Sequence, residues 1–312
     1  MGYIYPAPPA STDGENIDVH HLLKSPGVLA RRLRGLLDRR YIADVLLKAR
    51  FIAAGGVILY EDDSESIDTD SDPEAVQPGG AYPLTGLTPG EIQAAKTVNW
   101  GQDAVVTDAA IARLNIDPVN RAFTTLTNRS VRYVDSVALA AIASKVTQTW
   151  DVTGSSNANG GAWTSGENIV SGALQAKQSV IDLEEGYEPD IIVLKGSQWA
   201  KAMALFVKAG ILPREGANPV VDGNWPNVLG LTWLTSPHVP ATDPIVLDSE
   251  QLGGMADENI GGPGYVRAAG VGVETKAIRD DDHDRYKLRA RRVTVPVVRE
   301  PKAAVKLTNT GI

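Results

Sequence analysis

DPVNRAFTTLTNRSVRYVDSVALAAIASKVT, residues 117–147, is the stretch on which the fold turns. Asp117 suits an N-cap, and Pro118 suits the first helical position, where a missing N–H does no harm. From there Val119, Phe123, Leu126, Ser130, Tyr133 with Val134, Val137 and Ala141 recur every three or four residues. Arg121, Arg132 and Asp135 fall on another face, and after Pro118 neither Gly nor Pro interrupts the run. The pattern predicts one helix of about 30 residues, roughly 45 Å at 1.5 Å per residue, well beyond the usual globular length. A single long helix with one apolar stripe is a spine on which sheets and loops can lie.

Upstream of the spine the charge is sharply divided. Residues 1–25 are polar and Pro-rich, which predicts an extended arm. From Lys24 to Arg50 the cations Lys24, Arg31, Arg32, Arg34, Arg39, Arg40, Lys48 and Arg50 face only Asp38 and Asp44. Leu29, Leu33, Leu36 and Leu37 recur there at helical spacing, so a short amphipathic helix is expected. Between Arg50 and Lys96 no Lys or Arg occurs, while Glu61, Asp62, Asp63, Glu65, Asp68, Asp70, Asp72 and Glu74 crowd the segment EDDSESIDTDSDPE. Strand-like runs FIAAGGVILY (51–60) and KTVNWGQDAVVT (96–107) flank it. Two strand-like arms around a long polar tip predict a large β-hairpin projecting from the body. A structureless connection of that length is improbable inside a compact domain.

Downstream, DVTGSSNANGGAWTSG (151–166) reads as a Gly-rich surface loop, followed by a helix from Glu167 to Glu185 that stops at Gly186. PDIIVLK (189–195) reads as a buried strand leading into a helix capped by Ser197 and ended by Gly210. Further strands are expected at 230–236, 244–248, 265–278, 286–298 and 303–308. Without regular strand-helix alternation, this is an α+β chain rather than a doubly wound sheet.

The composition narrows the function classes. A net charge of −8 and a pI near 5.1 argue against a dedicated nucleic-acid binder. Cysteine is missing, so disulfides and thiolate metal sites are ruled out. The first ten residues show no secretory signal, and the longest apolar run, Val137–Ala143, is far short of a membrane span. A soluble chain made in a cytoplasm is expected. The four histidines, His20, His21, His238 and His283, make no helix-spaced metal pair. DDDHD (280–284) could hold a divalent cation, but it fits better as a hairpin tip between strands 265–278 and 286–298. There is no phosphate-binding loop and no nucleophile elbow. No catalytic, cofactor-binding or metal residues are therefore assigned, and no cofactor is expected.

The order of these elements resembles the Hong Kong 97-type major capsid proteins of tailed bacteriophages. PDIIVLKGSQWAKAMAL (189–205), NVLGLTWLTSPHVPATDPIVLDSEQLGGMADE (227–258) and RARRVTVPVVREPKAAVKLT (289–308) carry most of the likeness. The resemblance implies an N-arm at 1–49 and an E-loop at 50–106. It implies a peripheral domain at 107–188 and 286–312 containing the spine helix, and an axial domain at 189–285. It further implies a structural, non-enzymatic subunit assembling with copies of itself, in hexamers and pentamers, into an icosahedral shell. Double-stranded DNA would be enclosed without specific binding, and the shell would be virion material assembled in the bacterial host cytoplasm, without a membrane. Separate scaffolding and portal proteins, with room for a decoration protein, are the implied partners; alternatively an N-terminal scaffold segment has already been removed. Some relatives cross-link subunits through an E-loop lysine, but the loop tip here has none and Lys96 sits near the base of the returning arm.

The charge division also suggests which residues meet a neighbouring subunit: Arg31, Arg32, Arg34, Arg39 and Arg40 on one side, with Glu61, Asp62, Asp63, Glu65, Asp68 and Asp70 on the other. Trp100 is a further contact candidate, because tryptophan is enriched at interface centres; simple packing within the hairpin is its other reading. Trp199 and Trp233 are expected in the core. The competing identities are an encapsulin-type nanocompartment shell protein and an uncharacterised α+β enzyme.

Overall fold

Two six-stranded sheets and one separate two-stranded sheet make up the β structure. The computed structural model describes residues 41–62, 75–82, 84, 91–114, 117–154, 161–210, 227–228, 230–240, 243–268 and 272–312, with Val19, Leu23 and Gly27 as single positions. The described elements begin with α1 (Ala43–Leu46), β1 (Ala49–Ala53), β2 (Val57–Asp62), β3 (Glu91–Lys96) and β4 (Val98–Thr107). Helices α2 (Asp108–Leu114) and α3 (Asp117–Lys145) follow, then β5 (Thr149–Asp151), α4 (Gly166–Ile181), β6 (Ile191–Leu194) and α5 (Gly196–Ala209). The remainder is mostly strand: β7 (Asn227–Val228), β8 (Leu231–Thr235), β9 (Ile245–Leu247), β10 (Gly253–Glu258), β11 (Val266–Ala268), β12 (Val273–Asp280), β13 (Arg285–Val298) and β14 (Ala304–Thr308).

β13 organises the first sheet. Tyr286, Leu288, Ala290 and Arg292 alternate inward, while Arg285, Lys287, Arg289 and Arg291 alternate toward solvent, the period of a half-buried strand. One edge of β13 pairs with β4, and the other pairs with β12 and then β10, all antiparallel. β1 adds to β10 in parallel, from Ala49 opposite Gly254 to Ala53 opposite Glu258. The approach is close: a Cβ on Gly253 would meet the Val297 carbonyl oxygen at 2.1 Å, and one on Gly254 would meet the Ala49 carbonyl oxygen at 2.2 Å. Only glycine fits at such spacing.

The spine is present as α3, 29 residues and about 44 Å long at 1.5 Å per residue, lying across β4 and β13. Its buried stripe is Val119, Phe123, Leu126, Val134, Ala138, Leu139 and Ile142. Val134 of the expected stripe is buried, but beyond it the stripe runs through Ala138 and Ile142, one residue further on than the expected Val137 and Ala141. Tyr133 turns outward, and Asp135, expected on another face, is buried.

The second sheet runs β5-β14-β9-β6-β8-β7. All four residues of β6 are buried, as a strand covered on both faces requires. The core beside it centres on Trp233, whose ring lies 5.5 Å from Trp199, 5.9 Å from Phe206 and 6.3 Å from Trp163. Trp233 is fully buried and Trp199 is half-buried.

Several expected boundaries shift. The run 51–60 is two strands, broken at Gly55 and Gly56, whose φ angles of 66° and 82° make the tight turn that glycine permits. The run 96–107 is likewise broken at Thr97. The expected strand 265–278 is the antiparallel pair β11–β12. The helix expected at 167–185 ends at Ile181. The next helix starts at Gly196, one residue before the expected cap Ser197. Its first turn is closed by the Gln198 side chain, whose Oε1 accepts the Lys195 N–H at 3.0 Å. Gly210 ends it in the left-handed region, at φ 68°. The amphipathic helix expected within 24–50 falls largely outside the described residues, although Val19 and Leu23 are helical and buried against the main core.

Candidate functional site

β2 and β3 pair from Val57 opposite Lys96 to Asp62 opposite Glu91, forming a hairpin outside both large sheets. Alternation gives it two unlike faces. Ile58, Tyr60 and Ala95 pack against Phe51, Ala53, Ala256, Val295 and Val297 of the body. Val57, Leu59 and Ile92 point the other way and are 40%, 68% and 73% exposed. The expected projection is thus half anchored on its own chain, with an apolar outer face left bare.

One carboxylate fixes the root of this hairpin. Glu258, at the end of β10, accepts the Gly56 N–H at 3.0 Å with one oxygen and the Thr97 hydroxyl at 2.7 Å with the other. The Gly56 carbonyl in turn accepts the Thr97 N–H at 3.0 Å. Both strands therefore leave the body through a single ring of hydrogen bonds.

A second polar constellation fixes the segment that precedes β1. Arg292 lies on the inward face of β13 and is fully buried. It donates to Asp257 at 3.0 and 3.2 Å and to Asp44 at 2.8 and 3.2 Å, and stacks its guanidinium 4.7 Å from the Tyr41 ring centroid. Burial alone would lower its pKa, but the two carboxylates hold it raised. Arg50 adds a half-exposed cation, 3.1 Å from Asp44 and 3.5 Å from Asp257, so two positive and two negative charges balance. Tyr41 also shares a 2.8 Å hydrogen bond with Ser130 of the spine. Asp135 accepts the Ile42 and Ala43 N–H groups at 3.3 and 3.0 Å. Burial pushes its pKa up to about 6, against the lowering effect of those two bonds. Helix α1 is thereby pinned to the spine.

Between the spine and β4 lies an open groove of about 400 Å³, lined by Trp100, Leu126, Arg129, Ser130, Tyr133 and Ala290 among others. The Trp100 and Tyr133 rings sit 4.8 Å apart, tilted by 49°, a favourable aromatic geometry. Tyr133 is 52% exposed.

Of the contact candidates read from sequence, Trp100 lies on β4 rather than on the hairpin and pairs in register with Arg292. Glu61 is exposed at the end of β2 opposite Ile92, and Asp62 pairs with Glu91. Arg31, Arg32, Arg34, Arg39, Arg40, Asp63, Glu65, Asp68 and Asp70 lie outside the described residues. The DDDHD run forms the tip between β12 and β13 through a short 3-10 turn, Asp281–His283. Its Asp280 is engaged by Lys287 at 2.9 Å, Arg285 at 2.8 Å and His283 at 3.1 Å, which hold its carboxyl well below the usual range. Among the described residues no group of three or more His, Cys, Asp or Glu could hold a metal ion. Sequence reading missed Arg292, Asp257, Asp135 and Glu258. Arg292 had left a signal, since the alternation of β13 puts it in the apolar phase.

The model of the phage capsid protein family matches residues 90–307. The capsid of cyanophage P-SCSP1u is similar at a TM-score of 0.59 and 14% identity, over 86% of this chain and 87% of that one. A phage-related protein from Bordetella bronchiseptica gives 0.59 at 12% identity, over 92% and 97%. The holo-SrpI encapsulin complex from Synechococcus elongatus gives 0.53 at 14% identity, over 88% of each chain. At such identities the structures speak to the fold, which is the Hong Kong 97-type capsid fold. No curated protein sequence matches the chain.

Proposed function

We propose that this chain, which belongs to the phage capsid protein family, is the major subunit of an icosahedral head shell, assembling as hexamers and pentamers around double-stranded DNA. That it is a shell-forming structural protein follows from the family itself. The observation that carries the rest is the β2–β3 hairpin, tied at its root yet bare on an apolar outer face. In this reading residues 1–49 are the N-arm, 50–106 the E-loop, 107–188 with 286–312 the peripheral domain, and 189–285 the axial domain.

Arms that leave one subunit and land on the next make heterologous contacts, which close into rings and curved shells. Arg31, Arg32, Arg34, Arg39 and Arg40 would help set the register of neighbours, partly against the acidic segment that begins at Glu61. Exposed ion pairs are each worth less than about 1 kcal/mol, but many weak contacts compound and let a misplaced subunit leave. The net charge of −8 suits a wall that encloses DNA without the salt-dependent grip of clustered cations. The subunit performs no catalysis. It assembles in the bacterial host cytoplasm with separate scaffolding and portal proteins and becomes part of the virion.

The test is to express the chain and follow its mass in solution alongside negative-stain imaging. Closed particles are expected. A monomer or dimer under every condition would overturn the proposal. The encapsulin alternative, favoured by the holo-SrpI likeness, predicts particles that co-purify with a cargo enzyme in place of DNA.

A further inference from the structure

We infer that the solvent side of the first half of the spine helix, carrying Arg121, Arg129 and Arg132, is a contact surface for the phosphate backbone of enclosed nucleic acid. The inference rests on the shell-subunit reading above and names the surface that would meet the cargo.

The charge on α3 is one-sided. Residues 118–145 hold Arg121, Arg129, Arg132 and Lys145 against a single carboxylate, Asp135. That carboxylate is buried and committed to the Ile42 and Ala43 N–H groups. Arg121, Arg129 and Arg132 are exposed and fall within roughly 80° of one another at about 3.6 residues per turn. Among the described residues none of the three takes part in an ion pair. Widened to roughly 100°, the same stripe over residues 121–136 takes in only Thr125, Asn128 and Ser136 besides. All six side chains are polar. Depressions border the stripe on both sides. One is the groove of about 400 Å³ at Arg129, and the other, of about 290 Å³, is lined by Asn128, Arg132, Ser236 and His238 among others.

The opposite side of the same layer is built differently. The solvent-facing cations of β13 each meet a carboxylate: Arg285 and Lys287 meet Asp280, Arg289 meets Asp103 and Arg291 meets Glu274. In a chain of net charge −8, three neighbouring arginines without a carboxylate are the exception, and a polyanion is the partner that relieves their repulsion. Arginine, Thr, Ser and Asn side chains are the groups that hold phosphate oxygens and position a duplex without reading its sequence. The competing polyanion is the acidic segment 61–74 of another copy. It is a poorer fit, because it adjoins the apolar outer face of Leu59 and Ile92, for which a wholly polar stripe offers no match. Three phosphate contacts make a light hold. Their salt slope is about −2.7, a loss of about 40-fold between 50 and 200 mM salt, where six to ten contacts lose about 10³–10⁵. So weak a grip is compatible with an acidic wall and lets a duplex slide.

The test is fluorescence anisotropy of a labelled mixed-sequence DNA duplex titrated with dissociated full-length subunits at several salt concentrations. The Arg121→Gln, Arg129→Gln, Arg132→Gln triple variant is compared with Lys201→Gln, Lys208→Gln, Arg267→Gln, which removes three exposed cations elsewhere. The arginines of the N-terminal segment are present in both, so the difference reads the stripe alone. The stripe variant should flatten the salt slope by about 2.7, and the control by less than about 1. Equal slopes in the two variants, with wild type forming closed particles, would overturn the inference and leave the shell reading standing. If wild type forms no particles at all, both fall. Should the triple variant fail to fold, Arg121→Gln and Arg129→Gln are measured singly; each should flatten the slope by about 0.9, and unchanged slopes overturn the inference. If the triple variant loses affinity for a peptide of residues 61–74 but keeps its affinity for the duplex, the stripe is a protein contact and the inference is wrong.

Discussion

Replacing Arg292 by Met should destabilise the unassembled subunit more than any other single change to a charged residue in the described body. Arg292 is fully buried, and its loss leaves Asp44 and Asp257, each with side chains 12% exposed, facing each other without their central cation. Breaking a buried ion pair from one side costs about 3–5 kcal/mol. Arg50 remains close to both carboxylates, which places the expected loss near the lower end, about 3 kcal/mol. For 312 residues at about 2.1 cal/mol/K each, the unfolding entropy is about 0.65 kcal/mol/K, so the midpoint should fall by about 5 °C. Arg292→Lys should fall in between, because a point charge cannot bridge both carboxylates as the planar fork does. Combining Arg292→Met with Asp44→Asn and Asp257→Asn should recover at least half the loss, since no unpaired buried charge remains. Calorimetry on dissociated subunits gives the values. A shift under 1 °C for Arg292→Met, or no recovery in the triple variant, would refute the assignment of this network as a buried, mutually compensated cluster.

Two other positions yield distinct readouts. Glu258→Ala removes both side-chain bonds at the hairpin root, about 1–3 kcal/mol for bonds to a charged acceptor. Amide hydrogen exchange should accelerate by at least tenfold at Gly56 and through 57–62 and 91–97, while β13 stays protected; uniform protection would contradict the clamp. Asp135 has a folded pKa of about 6 against about 3.9 unfolded, so the folded state holds the extra proton between those values. Its destabilising contribution is full above pH 6 and fades as pH falls toward 4, so wild type should gain about 1 kcal/mol from pH 7 to pH 5 relative to Asp135→Asn. Denaturant unfolding of both proteins at the two pH values checks the sign, and an equal pH response in the two would remove Asp135 as its source.

Much of the body was legible because its signals are local. The length of α3, its Pro118 start, the alternation of β13 and the left-handed Gly210 stop are all set by residues a few positions apart. What sequence could not disclose depends on distant partners. β10 reads as GGMADE and looks like a turn, yet its glycines let β1 and β13 approach a strand that no side chain would permit. Asp135 looks like a solvent-facing residue until the N–H groups of Ile42 and Ala43, some ninety positions away, arrive at it. The groove is similar: Trp100 attracted notice as a tryptophan, but its value comes from Tyr133 beside it, placed there by the docking of helix on strand. The division of charge between arm and acidic segment was plain in the sequence.

A cryo-EM map of the assembled particle addresses the core idea most directly. It should show the outer face of strands 57–62 and 91–96, with Leu59 and Ile92, covered by a neighbouring subunit. A lattice in which that outer face borders only solvent, or contacts only its own subunit, would contradict it.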